Sequence, residues 1–346
     1  MKKVLSLAVA AALAAPMAVM ADATIYGKVR LSLDNVDDGD DSQVEIASQT
    51  SRLGVKGSED LGNGLKAVYK LEFGVDIAGA QTSQDFENPN ITSREEFGAA
   101  QPFSARNAYV GLAGDFGTAL IGRHDTPLKM STGKLDYFAD TSADFNLGYM
   151  GSFSDRRADG VIAYISPNWS GFTVAGAIIP GENADANGLA DAYSLAGMYS
   201  NAGIYLSAAY EAADKDTDLL IQNDGTVGDH TQWRVGGGYD AGDWKVGAVY
   251  ENEAIENEAG GDDLLDVTRW AISGAVKLGM GMVKATYQDA DDDPSTANVT
   301  SWALGYDYNM SKRTQVYALY LDSTEEEDGF DDVDVSVFSV GLNHNF

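Results

Sequence analysis

The feature that most constrains this chain is an alternation of apolar and polar residues in segments about ten residues long. In the stretch WALGYDY, from Trp302 to Tyr308, the large apolar side chains occupy every second position. Comparable segments cover residues 24–34, 65–73, 232–239, 269–278 and 335–346. Because successive side chains of a β-strand face opposite sides of the sheet, each segment predicts a strand with one apolar face. Strands this long, with aromatic residues near their ends, are typical of transmembrane β-barrels, whereas strands of soluble sandwiches usually have about 5–6 residues.

Short and long connections alternate between these segments along the chain. Seven are short and rich in Gly, Asn and Asp, as tight hairpins require, and eight are long. Seven short turns and eight long loops separate sixteen strands, so the predicted fold is an all-β, sixteen-stranded antiparallel transmembrane β-barrel. In hydrocarbon every backbone N–H and C=O must be paired, so the last strand, Val335–Phe346, is expected to pair with the first.

Residues 1–21 are interpreted as a signal peptide. Lys2 and Lys3 form a charged start, Val4–Val19 is apolar, and Ala21 ends a small-residue cleavage site. A transmembrane anchor is the alternative, but the apolar run is short and no stop-transfer pattern follows it. Residues 22–346 are then expected to form one barrel domain.

The chain is strongly acidic. Its formal net charge is −30, and removal of the two lysines of the signal peptide makes the mature chain −32. This balance argues against a nucleic acid as partner. The chain has no cysteine, but it is long enough to close a large sheet without disulfides.

One connection, from Arg123 to Arg157, is far longer than the usual 4–6 residues. It carries apolar residues that could anchor it and three aspartates spaced four apart, namely Asp136, Asp140 and Asp144. We therefore expect it to fold into the barrel, to narrow it and to point its carboxylates into the opening.

Three segments resemble the Gram-negative general porins. They are SRLGVKGSEDLGNGLKAVYKLEFG (Ser51–Gly74), RNAYVGLAGDFGTALIGRHDTP (Arg106–Pro127) and YISPNWSGF (Tyr164–Phe172). The terminal Phe346 is similar to the assembly signal of that family. The resemblance implies a homotrimeric diffusion pore of the Gram-negative outer membrane, inserted by the barrel-assembly machinery, with the third external loop folded into the lumen. It also implies that the loop Asp76–Pro102 latches over a neighbouring subunit, although a plain exposed loop is equally compatible.

The strongest candidate site is an electrostatic constriction. Alternation places six cations on the lumen face of the first strands: Lys28, Arg30, Arg52, Lys56, Lys66 and Lys70. The resemblance adds Arg106, Arg123 and Arg157 to this basic wall. Asp136, Asp140 and Asp144 would face it and create a transverse field that orients solutes and sets ion preference. The alternative is that these are solvated residues of a wide pore.

Acidic runs in the external loops suggest a second site. They are Asp37–Asp41, Asp289–Asp293 and Glu325–Asp328. Carboxylates suit Mg²⁺ or Ca²⁺, which would bridge the loops to lipopolysaccharide. Charge runs are usually solvated, however, and none of these has EF-hand spacing, so a solvated acidic surface is the favoured interpretation. No catalytic motif surrounds His124, His230 or His344, so we expect neither an enzyme nor a cofactor.

These observations predict passive diffusion of ions and small hydrophilic solutes. A solute-specific channel and a structural or adhesive barrel with a plugged lumen remain as alternatives. Because the loops at the mouth are so acidic, the expected ion preference is slightly for cations.

Overall fold

The computed structural model describes residues 23–78, 102–146, 150, 153–181, 189–214, 228–257 and 263–346. Most of these residues form a single antiparallel sheet that closes on itself. The proposed signal peptide and most of the loop Asp76–Pro102 lie outside the described residues. In the described part of the chain, no helix is long and apolar enough to cross a membrane.

The sheet contains seventeen strand segments. In chain order they are β1 (Thr24–Asp37), β2 (Ser42–Ser48), β3 (Arg52–Gly62), β4 (Leu65–Val75), β5 (Phe103–Gly114), β6 (Gly117–Asp125), β7 (Arg157–Ile165), β8 (Phe172–Ile179), β9 (Ala192–Asn201), β10 (Ile204–Ala213), β11 (His230–Asp240), β12 (Trp244–Ile255), β13 (Leu265–Leu278), β14 (Gly281–Asp292), β15 (Ala297–Asn309), β16 (Thr314–Glu327) and β17 (Val333–Asn345). One short helix, α1 (Pro127–Thr132), lies between β6 and β7.

Seventeen segments make sixteen barrel strands, because β2 and β3 are two parts of one strand. Both pair with β1, and they are separated only by residues 49–51. The barrel closes where β1 pairs with β17. The predicted sixteen-stranded antiparallel barrel is therefore confirmed, including the pairing of the first and last strands.

Phe346 completes this seam. Its backbone N–H donates to Gly27 O at 3.0 Å, and its carbonyl accepts from Gly27 N at 3.1 Å. The phenyl ring covers Gly27 so closely that a Cβ at that position would lie 2.2 Å from the ring. Position 27 therefore has room only for glycine while the ring stays in place.

The alternation seen in the sequence separates the two surfaces of the barrel. Trp233 and Val235 of β11 are 40% and 44% exposed, whereas Gln232 and Arg234 between them are 0% and 1% exposed. Apolar side chains face outward and polar side chains face inward, as a barrel in lipid requires.

A row of aromatic side chains follows the outer surface from β9 to β16. Its neighbouring rings lie 5.3–6.0 Å apart in the pairs Tyr193–Tyr210, Trp233–Tyr250, Trp270–Tyr287 and Trp302–Tyr320. Phe338 of β17 stands opposite Tyr320 and extends the row. Such rows are typical of the boundary between lipid and water.

Several strands continue further than the sequence suggested. Residues 289–292 and 325–327, expected in loops, extend β14 and β16, and residues 35–37 extend β1. Beyond the aromatic row the wall stands in water, so apolar alternation stops although backbone pairing continues.

Candidate functional site

The connection between β6 and β7 begins with helix α1. Thr126 caps the helix by accepting a hydrogen bond from Lys129 N at 3.3 Å, and Pro127 occupies the first turn, where its missing N–H costs nothing. Leu128 is fully buried against Ala196 of β9 and Ala209 of β10. The connection is thus fixed to the wall soon after it leaves β6.

The next anchor is Leu135, which is 1% exposed. It packs in one apolar cluster with Phe145 and Phe153 of the same connection and with side chains of β10, β12 and β13, namely Tyr205, Val249 and Ala271. The two phenyl rings stack at 5.4 Å. The outgoing and returning parts of the connection therefore share one contact with the wall.

Phe138 forms a separate anchor on other strands. It is fully buried, and its cluster includes Val36 of β1, Ala303 of β15 and Leu321 of β16. The Lys284 ammonium lies 4.5 Å from the centre of its ring. Within three residues the connection passes from β10–β13 to β14–β16 and β1.

Asp140 lies at the far end of this path and faces the predicted basic wall. Its carboxylate is 2.6 Å from Lys28 Nζ and 3.0 Å from Arg52 Nη2, and Arg30 Nη1 donates to the neighbouring Ala139 O at 3.0 Å. Burial alone would raise the pKa of Asp140, but the charges of Arg52 and Lys28 outweigh it and hold the pKa well below its usual range. The carboxylate is therefore ionised at neutral pH.

The other two aspartates of the predicted row bind the backbone of the connection itself. Asp136 accepts hydrogen bonds from Phe138 N at 2.8 Å and Phe145 N at 3.2 Å, and Asp144 accepts from Asp140 N at 2.6 Å. Burial, together with the negative charge of Asp144, raises the pKa of Asp136 well above its usual value. Of the three, Asp140 is the one whose carboxylate contacts the basic wall.

Two more cations of the wall share one carboxylate that the sequence reasoning did not select. Glu72 of β4 lies 3.2 Å from Lys70 Nζ and 2.9 Å from Arg106 Nε. It also accepts a hydrogen bond from Tyr26 Oη at 2.8 Å. Glu72 lies two residues after Lys70, so alternation along β4 places both side chains on the inward face. That pattern could have identified Glu72 from the sequence.

The remaining predicted cations are placed differently. Arg157 pairs with Asp125 at 2.7 Å, and Arg123 pairs with Asp159. Lys66 is exposed near the short turn at the start of β4. Lys56 lies 5.0 Å from the ring centre of Tyr26.

A cavity of about 470 Å³ opens beside this wall. Its charged lining side chains are the cations Lys28, Arg52, Lys70 and Arg106 and the carboxylates Glu72 and Asp125. Asp125 pairs with Arg157 at 2.7 Å, so this pair adds no net charge. These four cations and Arg30 carry five positive charges, and Asp140 and Glu72 carry two negative charges, so this group has a net charge of +3.

A second charged group, which sequence reasoning missed, fixes the returning end of the connection. Arg234 is 1% exposed and contacts Glu251 and, at 2.6 Å, Asp155. Arg269 binds Glu251 at 3.1 Å and Glu253 at 2.8 Å. The inward parity of these residues on β11–β13 was again the available signal.

The acidic runs show no metal centre in the part of the chain that the structure describes, where no group of three or more His, Cys, Asp or Glu side chains is arranged to hold an ion. Most of Asp289–Asp293 and Glu325–Asp328 lies on strand ends rather than in loops.

Comparison with known proteins gives one consistent result. A family model described as Gram-negative porin matches residues 7–328. Major outer membrane protein P.IB of Neisseria gonorrhoeae is 27% identical, with 100% of both chains covered. Outer membrane porin protein 32 of Delftia acidovorans is 29% identical over 91% of this chain and 87% of that protein.

Solved structures agree on the fold. The anion-selective porin from Comamonas acidovorans superposes with a TM-score of 0.74 at 23% identity, covering 94% of this chain and 99% of that one. The trimer form of OmpT from Vibrio cholerae gives a TM-score of 0.67 at 19% identity, with 94% and 99% covered.

Proposed function

The chain belongs to the Gram-negative porin family, and from this premise we propose that it is a passive diffusion pore whose bore is narrowed by the connection between β6 and β7, of which the structure describes residues 126–146, 150 and 153–156. It is an outer-membrane porin, and membership in a family of channels also confirms the prediction that it is not an enzyme. Ions and small hydrophilic solutes would pass through the water-filled barrel down their gradients. No energy source or cofactor is required for this activity.

The main support for a narrowed bore is that the connection contacts strands on several sides of the barrel. The connection contacts inward-facing side chains of β10–β13 through Leu135, of β15 and β16 through Phe138, and of β1 and β3 through Asp140. Because these strands lie far apart around the ring, we infer that the segment crosses the lumen. This crossing supports the inward fold of the third loop.

The charges beside the crossing support a preference for anions at the narrow point. The group of Lys28, Arg30, Arg52, Lys70, Arg106, Asp140 and Glu72 has a net charge of +3, as counted above. This is the opposite of the slight cation preference expected from the acidic loops. Fixed charge at a narrow point acts on an ion at close range, whereas charge at the mouth is screened beyond about 10 Å in 0.1 M salt.

Both the proposed pore and its proposed anion preference can be tested by measuring conductance and the reversal potential in a KCl gradient across a planar bilayer. Stepwise conductance with chloride preferred is the expected result. Conductance without chloride preference would contradict the proposed constriction, and silence of a correctly folded barrel would instead favour the structural or adhesive alternative. If the flux of one class of solute reached a maximum as its concentration was raised, this would favour the solute-specific channel.

We also propose that the protein is a homotrimer. The outer aromatic row runs from β9 to β17 and stops there. Asn35 of β1 lies opposite Phe338, and Val44 of β2 lies opposite Asn35. Val44 is 63% exposed. Ile46, also on β2, is 60% exposed. An apolar outer wall without the aromatic row suits contact with another subunit better than contact with the lipid boundary. Light scattering of the detergent-solubilised protein should give three chains per particle, and a single chain would contradict this.

The barrel-assembly machinery and lipopolysaccharide with bridging divalent cations are further proposed partners. Outward-parity carboxylates such as Asp291, Glu326 and Asp334 lie on the strands beyond the aromatic row, where they could bind a cation that also binds a lipopolysaccharide phosphate. If cations bridge them, EDTA should release lipopolysaccharide that co-purifies with the porin. Unchanged co-purification after EDTA would count against bridging.

A further inference from the structure

We propose that three glycines of β11 and β12 form a socket for Leu135 and thereby set how far the connection projects into the bore. The glycine socket consists of Gly236, Gly238 and Gly247. This inference rests on the proposed function, because it takes the described residues of the connection between β6 and β7 to narrow the bore. It adds positioning residues that lie away from the charged wall and touch no permeating ion.

The socket is defined by how little space each glycine leaves. A Cβ built on Gly236 would lie 2.5 Å from Leu135 Cδ1 and 3.0 Å from Ser207 Oγ. One on Gly238 would lie 2.9 Å from Val246 O and 3.0 Å from Leu135 Cδ2, and one on Gly247 would lie 3.0 Å from Leu135 Cδ2. Gly238 and Gly247 are directly opposite each other across β11 and β12. Carbon atoms in van der Waals contact lie about 3.5–4.0 Å apart, so a methyl group at Gly236 would push the leucine back by roughly 1 Å.

Leu135 has little freedom to absorb that displacement by turning. It is 1% exposed and packs against Tyr205, Val249 and Ala271. Close-packed interiors transmit such strain rather than absorbing it. We therefore expect the backbone of the connection to move away from β11 and into the bore.

A second close contact limits how the connection can respond. A Cβ on Gly305 of β15 would lie 2.9 Å from Phe138 Cε1, so Phe138 also rests directly on a glycine of the wall. Phe138 is fully buried. Leu135 and Phe138 thus seat the connection on two parts of the ring, and Asp140 follows two residues later at the basic wall.

The test is a double-mutant cycle on single-channel conductance. Gly236→Ala should lower the conductance of the wild-type channel, because the connection is displaced into the bore. The same substitution should have a much smaller effect in a Leu135→Ala background, where the closest clashing atoms are gone and only the milder contact with Ser207 Oγ at 3.0 Å remains. Gly274→Ala is the matched control, because a Cβ at this β13 glycine meets only Lys245 O at 3.9 Å; it should leave the conductance unchanged.

Two results would overturn the socket. One is an unchanged conductance in Gly236→Ala, and the other is an equal decrease in both backgrounds, which would show that Leu135 does not transmit the effect. If Gly236→Ala fails to fold, as judged by gel mobility before and after heating, Gly247→Ala provides the milder contact and is subject to the same two criteria.

The outcome is separable from that of the proposed function. If the socket variants leave conductance unchanged while charge variants of Asp140 alter selectivity, the constriction stands and only the socket fails. If the wild-type protein forms no channel, the proposed function fails first.

Discussion

Replacing Asp140 with asparagine isolates one charge at the proposed constriction. Asp140 has a backbone φ of +62°, a left-handed conformation that asparagine adopts more readily than most residues. The substitution should therefore keep the backbone in place while it removes the negative charge that Lys28 and Arg52 share. The net charge of the group counted above would rise from +3 to +4.

The size of the effect follows from Coulomb's law. One unit charge about 4 Å from a passing ion is worth about 1 kcal/mol in water, and more where water is excluded. Since about 1.4 kcal/mol is a tenfold change, the ratio of chloride to potassium permeability should rise several-fold in Asp140→Asn. The increase should shrink in 1 M salt, where the screening length falls to about 3 Å.

The assay is the reversal potential in a KCl gradient, measured for wild type and variant in the same bilayer. Asp328→Asn is the control, because Asp328 is exposed in the turn after β16. A shift of equal size in both variants, or a shift of Asp140→Asn toward cations, would refute the reasoning. Arg52→Gln should move the potential in the opposite direction, toward cations.

The pH dependence gives an independent check of the same carboxylate. Because the pKa of Asp140 is lowered, the group stays ionised while pH falls through the usual aspartate value of about 3.9. Its ion pairs therefore contribute stability above that value and lose it only as pH falls through the lower folded-state pKa. Wild-type selectivity should accordingly be the same at pH 7 and pH 4, and a change resembling Asp140→Asn at pH 4 would contradict the assigned shift.

Three further outcomes are expected. Asp136→Asn should leave the reversal potential unchanged but increase current noise in bilayer traces, because it weakens a backbone hydrogen bond of the connection without altering the basic wall; a shift as large as that of Asp140→Asn would contradict this placement. Arg234→Met should lower the free energy of unfolding by about 3–5 kcal/mol, since the buried carboxylates of Asp155 and Glu251 lose the guanidinium they share and Glu251 keeps only Arg269; an unchanged midpoint in urea titration would show that Arg234 is dispensable. Deletion of Phe346 should reduce the yield of heat-modifiable barrel in outer-membrane fractions, because the seam loses two hydrogen bonds to Gly27; an unaltered yield would argue against a role in assembly.

The strands were predictable because the pattern of apolar and polar residues within each strand is enough to identify it. The alternation around Trp233 and Arg234 reports directly which side chain faces lipid, and the turn residues mark where each strand ends near the membrane. Beyond the lipid that signal disappears, which is why the ends of β14 and β16 were assigned to loops. Backbone pairing continues there without any apolar pattern to reveal it.

The site was only partly predictable for a different reason. Spacing alone gave Asp136, Asp140 and Asp144 the same expected role, but the connection folds through successive turns and orients each carboxylate separately. Asp140 reaches Lys28, whereas the other two satisfy nearby backbone N–H groups. The alternation places Glu72 on the inward face beside Lys70, but it gives only the face of a side chain and not its ion-pair partners, so the contacts of Glu72 with Lys70 and Arg106 needed the structure.

The seam between β1 and β17 has a consequence for how the barrel is made. It pairs Lys28 with Asn345, residues from opposite ends of the chain, and contacts so distant in sequence form slowly. Until they form, the sheet has two open edges that can pair with other chains and aggregate. The chain is therefore most prone to aggregation between the insertion of its last strand and the closure of the barrel. A factor that shortens this interval would raise the yield of folded protein without changing the finished pore.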